Sequence, residues 1–171
     1  MIPVLTTERL TLRAPCVDDF EAAAAFLASD RTRYIGGPRS RLEAWRALAC
    51  SIGHWGLRGY GMWGVEVTAT GAYVGQVGLD HPEGWIAREI AWWIALPELE
   101  GRGYAFEAAL AARRYAFETA GWREAFSVIH PENRRSIRLA ERLGAVLDHA
   151  DIVPETEPVL VYRHPAPEAR R

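Results

Sequence analysis

The stretch that decides the fold of this chain reads EIAWWIALPELEGRGYA, at residues 89–105. An apolar run stops at Pro97, the chain turns through Gly101 and Gly103, and an alanine-rich run to residue 120 follows directly. This order predicts a strand, a glycine turn and a helix that are joined without a linker. The start of a helix presents unpaired amides and the positive end of the helix dipole, so the turn is predicted to bind a phosphate.

The residues of the glycine turn favour the same interpretation. Gly101 and Gly103 lack a Cβ, so the backbone amides between them can approach a diphosphate closely. Arg102 places a fork of N–H donors between the two glycines. A plain loop before a helix is the simpler interpretation of a Gly-x-Gly pair, but the complete context of strand, proline, turn and helix favours a phosphate ligand.

Missing residues narrow the class of ligand. The chain has 20 basic residues and all of them are arginine. Because lysine is absent, the chain has neither a P-loop, which requires Gly-Lys-Ser/Thr, nor a Schiff-base site such as that of pyridoxal phosphate. Phe106 stands where a dinucleotide fingerprint needs its third glycine, which argues against a Rossmann site. Cys16, Cys50 and the histidines have no metal-ligand spacing, so no metal is predicted.

Motifs along nearly the whole chain, from about residue 5 to residue 162, resemble the GNAT N-acetyltransferases. EGRGYA, at residues 100–105, is similar to the acetyl-CoA signature of that family, Gln/Arg-x-x-Gly-x-Gly/Ala. Further motifs resemble its RimJ/RimL branch, which acetylates protein N-termini among other amines. These motifs are TERLTLR at 7–13, EIAWWI at 89–94, Asn133-x-x-Ser136 and ERLG at 141–144.

The resemblance implies an enzyme that transfers acetyl from acetyl-CoA directly to a primary amine, and a protein or peptide N-terminus is the expected acceptor. Two alternatives stay open: a small amine such as an amino acid, polyamine or antibiotic, and a CoA-binding regulatory protein with weakened catalysis. The expected contacts with CoA lie at the end of the central strand, in the glycine turn and at the next helix. They are Ile94, Ala95, Leu96, Gly101, Arg102, Gly103, Tyr104, Ala105 and Asn133.

Catalysis of this reaction needs a proton acceptor or a water path, because an amine is mostly protonated at neutral pH and only its free base attacks a thioester. Glu89 is the first candidate base, since the resemblance places it on the strand that lines the acceptor cleft. Glu66 is the second candidate, and His81 and His130 are held in reserve. Pairing with a nearby arginine, such as Arg88, is the alternative role for Glu89.

Two positions depart from the family pattern. Glu100 stands where the signature has Gln or Arg, so its carboxylate must point away from the diphosphate or weaken its binding. Ala140 stands where many members carry a Tyr that is thought to protonate the departing thiolate. Ser136 is the candidate for that acid, and a plain helix-surface Ser is the alternative. Asn133 is predicted as a helix N-cap that also contacts pantetheine, and a strand amide near Ile94 is expected to meet the oxyanion.

Composition and periodicity predict one α+β domain over residues 1–164, followed by a flexible tail at 165–171, and the resemblance implies that this domain has the GNAT fold. A chain of 171 residues with 49% hydrophobic content can bury one sizeable core. The predicted central sheet is mixed but mostly antiparallel, with about seven strands and about four flanking helices. The predicted strands are 5–13, 61–67, 73–79, 89–95, 124–129, 145–152 and 157–163, and the predicted helices are 18–28, 40–55, 104–119 and 133–142.

Side-chain spacing predicts which faces are buried. Trp92 and Trp93 are neighbours on one strand, so their rings must project to opposite faces of the sheet. Aromatic side chains at three further positions are candidates for an acceptor pocket, with core packing as the alternative; they are Trp55, Trp63 and Trp85. Apolar residues at helical spacing predict buried helix faces; they are Leu42, Trp45, Leu48, Ala49 and Ile52 in the second helix, and Ala105, Ala109, Ala112 and Ala116 in the third.

Charge and hydropathy exclude several partners. A net charge of −2 and a pI near 6.2 give no broad basic surface for nucleic acid. No apolar run reaches the roughly eighteen residues that span a bilayer, and no signal-peptide pattern follows Met1. Two thiols without evident partners fit a reducing compartment. We therefore expect a cytoplasmic protein without nucleic-acid or membrane partners, and a homodimer is left open.

Overall fold

The structure, a computed structural model, describes residues 1–148 and 159–166. Within these ranges eight strands form a single sheet. The strands are β1 (Leu5–Thr6), β2 (Leu10–Arg13), β3 (Met62–Val67), β4 (Ala72–Asp80), β5 (Glu89–Ile94), β6 (Phe126–Ile129), β7 (Val146–Asp148) and β8 (Leu160–Arg163). Their order across the sheet is β1-β2-β3-β4-β5-β6-β8-β7, and only β5 and β6 are parallel neighbours.

Four α-helices flank this sheet in the described part of the chain. They are α1 (Phe20–Leu27), α2 (Arg41–Arg58), α3 (Tyr104–Glu118) and α4 (Arg134–Arg142). The predicted α+β fold with a mixed, mostly antiparallel sheet is therefore confirmed. The sheet has one strand more than expected because the predicted strand 5–13 is divided by a turn. In that turn the amide of Thr7 donates to the carbonyl of Leu10 at 2.9 Å, and the amide of Leu10 donates to the hydroxyl of Thr7 at 3.1 Å.

Two predicted strands and the predicted tail lie partly outside the described residues. The strand predicted at 145–152 is observed as β7, and residues 149–152 lie outside the described ranges. The strand predicted at 157–163 is observed as β8, and residues 157 and 158 also lie outside them. Residues 167–171 of the predicted tail are likewise not described, so its flexibility stays a prediction.

Helices α1 and α2 cover one face of the sheet, and α3 and α4 cover the other. Trp93 stacks on Phe26 of α1, with ring centroids 4.9 Å apart. The indole N–H of Trp92 instead donates to the hydroxyl of Ser136 in α4, at 3.2 Å. The prediction that these two tryptophans project to opposite faces is confirmed, so β5 contributes side chains to both layers.

The buried face of α2 differs from the prediction. Ala44, Leu48 and Trp55 are buried, whereas Leu42, Trp45 and Ile52 of the predicted stripe are exposed. Two apolar stripes compete on this helix, and the stripe that ends at Trp55 prevails because the Trp55 indole donates to the carbonyl of Met62 at 2.9 Å.

Two of the tryptophans that were predicted to line an acceptor pocket belong to the core. Trp55 and Trp63 pack edge to face, with ring centroids 4.8 Å apart. Trp63 is completely buried and donates its indole N–H to the carbonyl of Pro3 at 2.8 Å. The prediction is therefore wrong for both residues, because their indole N–H groups are hydrogen-bonded and their rings are packed inside the fold.

Helix α3 lies on the sheet through alanines. The side chains at four positions are fully buried, and Ala105 of the predicted face is only half-buried. The four are Ala108, Ala109, Ala112 and Ala116. Small side chains let a helix axis approach a sheet closely, so the first turn of α3 is held directly behind the end of β5.

Candidate active site

The glycine turn joins β5 to α3 as predicted. After β5 a short 3-10 helix, Pro97–Leu99, turns the chain, and Gly101 and Gly103 then adopt φ values of +72° and +83°. Glycine alone adopts this left-handed region without strain. Gly103 is the N-cap of α3 and no side chain caps the helix there. The amides of the first turn of α3 therefore remain available to an anion.

The opening motif of the chain anchors the first turn of α3. Glu107 of α3 accepts three hydrogen bonds, from the Thr7 hydroxyl at 2.6 Å, the Arg9 amide at 2.8 Å and Arg9 Nε at 2.7 Å. Arg9 Nη1 also donates to the carbonyl of Arg102 at 3.0 Å. Arg9 lies in the family-like motif at 7–13, but a contact with the glycine turn was not predicted for it. A cationic side chain is thus fixed beside the glycine turn.

Arg102 is itself anchored. Its Nε donates to the carbonyl of Glu98 at 2.8 Å, and its side chain lies on the exposed side of the turn. A Cβ added to Gly103 would lie 3.4 Å from Arg9 Nη2. Two guanidinium groups, those of Arg9 and Arg102, therefore flank the amides at the start of α3.

The carboxylate of Glu100, which immediately precedes the glycine turn, is bound by arginines from two other elements. Its Oε1 accepts from Arg31 Nε, at 3.1 Å, and from Arg31 Nη2, and its Oε2 accepts from Nη1 of Arg135 in α4. Arg31 also donates to the carbonyls of Ile94 and Ala95, at 2.8 and 2.6 Å. The acid that departs from the family signature is thus neutralised by two arginines.

Strands β5 and β6 separate soon after they meet. Glu89 and Phe126 are the only residues that they pair in register within the described chain. Side chains then replace the missing backbone bonds, because the Ser127 hydroxyl donates to the carbonyl of Ile90 at 2.6 Å. Beyond these contacts no register pair joins the described parts of the two strands, and we call the unpaired space between them, on the side of the glycine turn, the gap.

Glu89 lies at the closed end of this gap. One carboxylate oxygen accepts from the amide of Val128 on β6 at 3.0 Å, and the other accepts from the indole N–H of Trp85 at 2.9 Å. Burial raises the pKa of Glu89 to about 7, although both hydrogen bonds favour the charged form. Among the described residues no arginine pairs with Glu89, so the alternative of pairing with Arg88 is not observed.

Glu66 lies far from Glu89. Its carboxylate accepts from Arg13 Nε at 2.7 Å, and the same guanidinium is bound to Asp19. Glu66 and Glu89 pair with Tyr73 and Asp80, at opposite ends of β4. Seven residue steps along β4 separate these positions, which is about 23 Å. Glu66 is therefore an ion-pair partner in the first half of the sheet.

The two reserve histidines occupy different ends of the sheet. The amide of His81, just beyond β4, donates to Nε2 of His54 at 3.3 Å. His130 follows β6, and its ring stacks on Tyr34 with centroids 4.9 Å apart. Its Nδ1 accepts from the amide of Glu132 at 3.1 Å. The structure gives no direct contact between either ring and Glu89.

Asn133 and Ser136 form the start of α4. The side-chain oxygen of Asn133 accepts from the Ser136 amide at 3.2 Å, which confirms the predicted N-cap. The Ser136 hydroxyl accepts from Trp92 and keeps its own proton free to donate. Ala140 is fully buried against Ile137 and Tyr162, so the position of the missing family tyrosine is closed by packing.

The described residues hold no group of three or more His, Cys, Asp or Glu side chains that would suit a metal ion. None of the described helices is long and apolar enough to cross a membrane. Cys16 is half-buried and Cys50 is exposed, and neither lies in the glycine turn or at the gap.

Comparison with known proteins shows which proteins this chain resembles in sequence and in fold. The family described as Acetyltransferase (GNAT) domain matches residues 9–146. The uncharacterized protein YkkB of Bacillus subtilis is 31% identical over 151 residues, which cover 82% of this chain and 83% of that protein. An acetyltransferase from Agrobacterium tumefaciens is 39% identical, with a TM-score of 0.88 over 96% of this chain and 95% of its own.

A more distant structure shares the fold alone. RimL, a ribosomal L7/L12 alpha-N-protein acetyltransferase solved with coenzyme A, is 18% identical, with a TM-score of 0.73 over 96% of this chain and 98% of its own. The match to the family over most of the chain, together with the strand, glycine turn and helix described above, identifies the protein. The chain belongs to the GNAT acetyltransferase family, whose members use acetyl-CoA.

Proposed function

We propose that this acetyltransferase transfers the acetyl group of acetyl-CoA directly to the primary amine of a protein or peptide N-terminus. The observation that carries the proposal is that β5 ends in the glycine turn and begins with Glu89, whose pKa is raised to about 7. Five residue steps separate Glu89 from Ile94, which is about 17 Å. One strand thus connects a phosphate-binding turn with a group able to take up a proton.

In this proposal the diphosphate is bound by the amides from Gly101 to Ala105, with Arg102 beside them. The pantetheine arm follows the open edge of β5 at Ile94, Ala95 and Leu96 and meets the side-chain amide of Asn133. Both N–H bonds of that amide are free, because only its oxygen serves as the cap. The thioester then lies in the gap between β5 and β6, where a backbone amide near Ile94 stabilises the oxyanion.

The chemical step uses groups at the closed end of the gap. Glu89 takes a proton from the acceptor ammonium, directly or through water, and the free amine attacks the thioester carbonyl. The nitrogen of the tetrahedral intermediate loses its second proton as the C–S bond breaks, which yields the N-acetyl product and the CoA thiolate. The Ser136 hydroxyl, or water, relays this proton to the thiolate, so that CoA leaves as the thiol and the hydroxyl regains its own proton.

Charge near the gap favours an acceptor with a single amine. Arg31 and Arg135 lie next to the end of β5 and after β6 and share the single carboxylate of Glu100, so one net positive charge remains on this side. A polyamine would bring several further positive charges to it, which is unfavourable. The RimL structure, whose fold is shared, is described as an alpha-N-protein acetyltransferase, and this supports a peptide N-terminus over the small-amine alternative.

A non-catalytic, CoA-binding role is the second candidate, and Ala140 favours it. The other reason for that candidate was the negative charge of Glu100, and this charge is neutralised by Arg31 and Arg135. Turnover of acetyl-CoA against a panel of peptides, amino acids and polyamines tests the proposal. Acetylation of peptide α-amines supports it, and CoA binding without any turnover would favour the second candidate.

A further inference from the structure

A cluster of three charged side chains joins three separate elements beside the glycine turn. Glu100 immediately precedes the turn, Arg31 lies in the short 3-10 helix Asp30–Thr32, and Arg135 lies in the first turn of α4. The cluster carries one net positive charge. The carboxylate of Glu100 therefore joins the α4 arginine to the segment that enters the glycine turn.

The two arginines are held very differently. Arg31 donates to Glu100 through two nitrogens and to the carbonyls of Ile94 and Ala95, and its side chain is only 25% exposed. Arg135 makes a single ion pair, with the other carboxylate oxygen, and its side chain is 77% exposed. Loss of Arg135 would leave Glu100 paired with Arg31. Loss of Arg31 would remove four hydrogen bonds, two to Glu100 and one each to the carbonyls of Ile94 and Ala95.

We propose that Arg135 binds a phosphate group of coenzyme A and that Glu100 holds it at the turn until the phosphate takes over its guanidinium. An exposed ion pair is weak, so its exchange for a phosphate costs little, whereas an arginine–phosphate pair adds geometric fit. Arg31 remains on Glu100 throughout and neutralises its carboxylate. Glu100 is thus a positioning residue, and Arg135 of α4 supplies the positive charge that this chain lacks at position 100, where the signature has Gln or Arg.

The neighbouring Arg134 supplies a matched control. It lies in the same helical turn and is also exposed, but its charge acts on Tyr162 of β8, where it lowers the pKa of the phenol against the raising effect of burial. The described ion pairs of Glu100 are with Arg31 and Arg135 and do not include Arg134. Arg134→Gln and Arg135→Gln remove the same charge from adjacent positions of α4, and only Arg135→Gln removes a partner of Glu100.

Calorimetric titration of the full chain with CoA, at several salt concentrations, tests the proposal. We expect Arg135→Gln to weaken CoA binding about threefold to tenfold and to make the affinity less dependent on salt, because one phosphate contact is lost. Arg134→Gln should change the affinity less than about twofold. Equal effects of the two variants, or no effect of either, would overturn the proposal, and thermal unfolding without ligand checks that both are folded.

Glu100→Gln provides the second measurement. The phosphate then no longer competes with a carboxylate for Arg135, so CoA binding should become about twofold to fivefold tighter; weaker binding would contradict the proposal. Dephospho-CoA separates the two phosphate sources. If Arg135→Gln weakens the binding of dephospho-CoA as much as that of CoA, Arg135 binds the diphosphate. If Arg135→Gln weakens the binding of CoA alone, Arg135 binds the 3′-phosphate. This inference rests on the part of the proposed function in which the protein binds acetyl-CoA. The titrations contain no acceptor amine, so their outcome does not depend on whether the acceptor is a peptide N-terminus.

Discussion

Glu89 Oε1 accepts a hydrogen bond from the backbone amide of Val128 at 3.0 Å, across the line where β5 and β6 separate. The carboxylate thus takes the place of a backbone carbonyl that the departing strand no longer offers. The same contact favours the ionised form of Glu89, against a burial that favours the neutral one. A structural role and a proton-accepting role therefore meet in one side chain.

The first prediction is that Glu89→Gln lowers kcat by ~10². Glu89 accepts a proton only when ionised, so the wild-type rate should fall as the pH drops through about 7, and this limb should be absent in the variant. The measurement is the pH profile of kcat, with the CoA-induced thermal shift as the control for binding. Full turnover of the variant would assign the base to a histidine or to water.

The second prediction uses the other partner of Glu89. Trp85 donates its indole N–H to the carboxylate, and this bond lowers the pKa of Glu89. Trp85→Phe keeps an aromatic ring but removes the donor, so the acid limb of the pH profile should move to higher pH. A limb that stays in place would show that the titrating group is not Glu89.

The third prediction places CoA at the glycine turn. Gly103→Glu adds a side chain and a negative charge where the diphosphate binds, so the CoA-induced thermal shift should be lost. Gly121→Glu is the control: Gly121 also has a left-handed φ, of +68°, and open space around it. It lies beyond the other end of α3, about 22 Å away. Loss of the shift in both variants, or in neither, would contradict the assignment.

Sequence reasoning identified the parts of this site that are local in the chain. Pro97, Gly101 and Gly103 were sufficient to predict the strand, turn and helix, because dihedral preference acts over a few residues. The partners of Glu89 were not predictable, since Val128 lies 39 residues away and meets Glu89 only through sheet pairing. Arg31 reaches Glu100 across 69 residues, and no sequence spacing encodes that contact.

The face of α2 was misassigned for a different physical reason. Its sequence carries two apolar stripes, and periodicity cannot tell which one meets the sheet. The capping box between Ser40 and Glu43 and the left-handed Gly59 bound the helix clearly. Its rotation is decided by the contact of Trp55 with Met62 and Trp63, which depends on the strand that follows.

The fourth prediction concerns the proton that the CoA thiolate receives. Ser136→Ala should slow turnover only about twofold to tenfold, because a thiolate is a fair leaving group and water can donate. The loss should shrink with an acyl donor whose thiol is more acidic, since that thiolate needs less assistance. A loss that is equal for both donors would limit Ser136 to its contact with Trp92.

Replacement of Cys16 and Cys50 together should spare activity, because acetyl moves to the amine without an acetyl-cysteine.

The most direct test of the account is an initial-rate experiment with acetyl-CoA and an unblocked peptide, in which the acetylated position is located by mass spectrometry. Direct transfer through a ternary complex predicts acetyl on the peptide α-amine and double-reciprocal lines that intersect. The same peptide with a blocked N-terminus should remain unmodified. Parallel lines with a trapped acetyl-protein, or acetylation confined to small amines, would contradict the account.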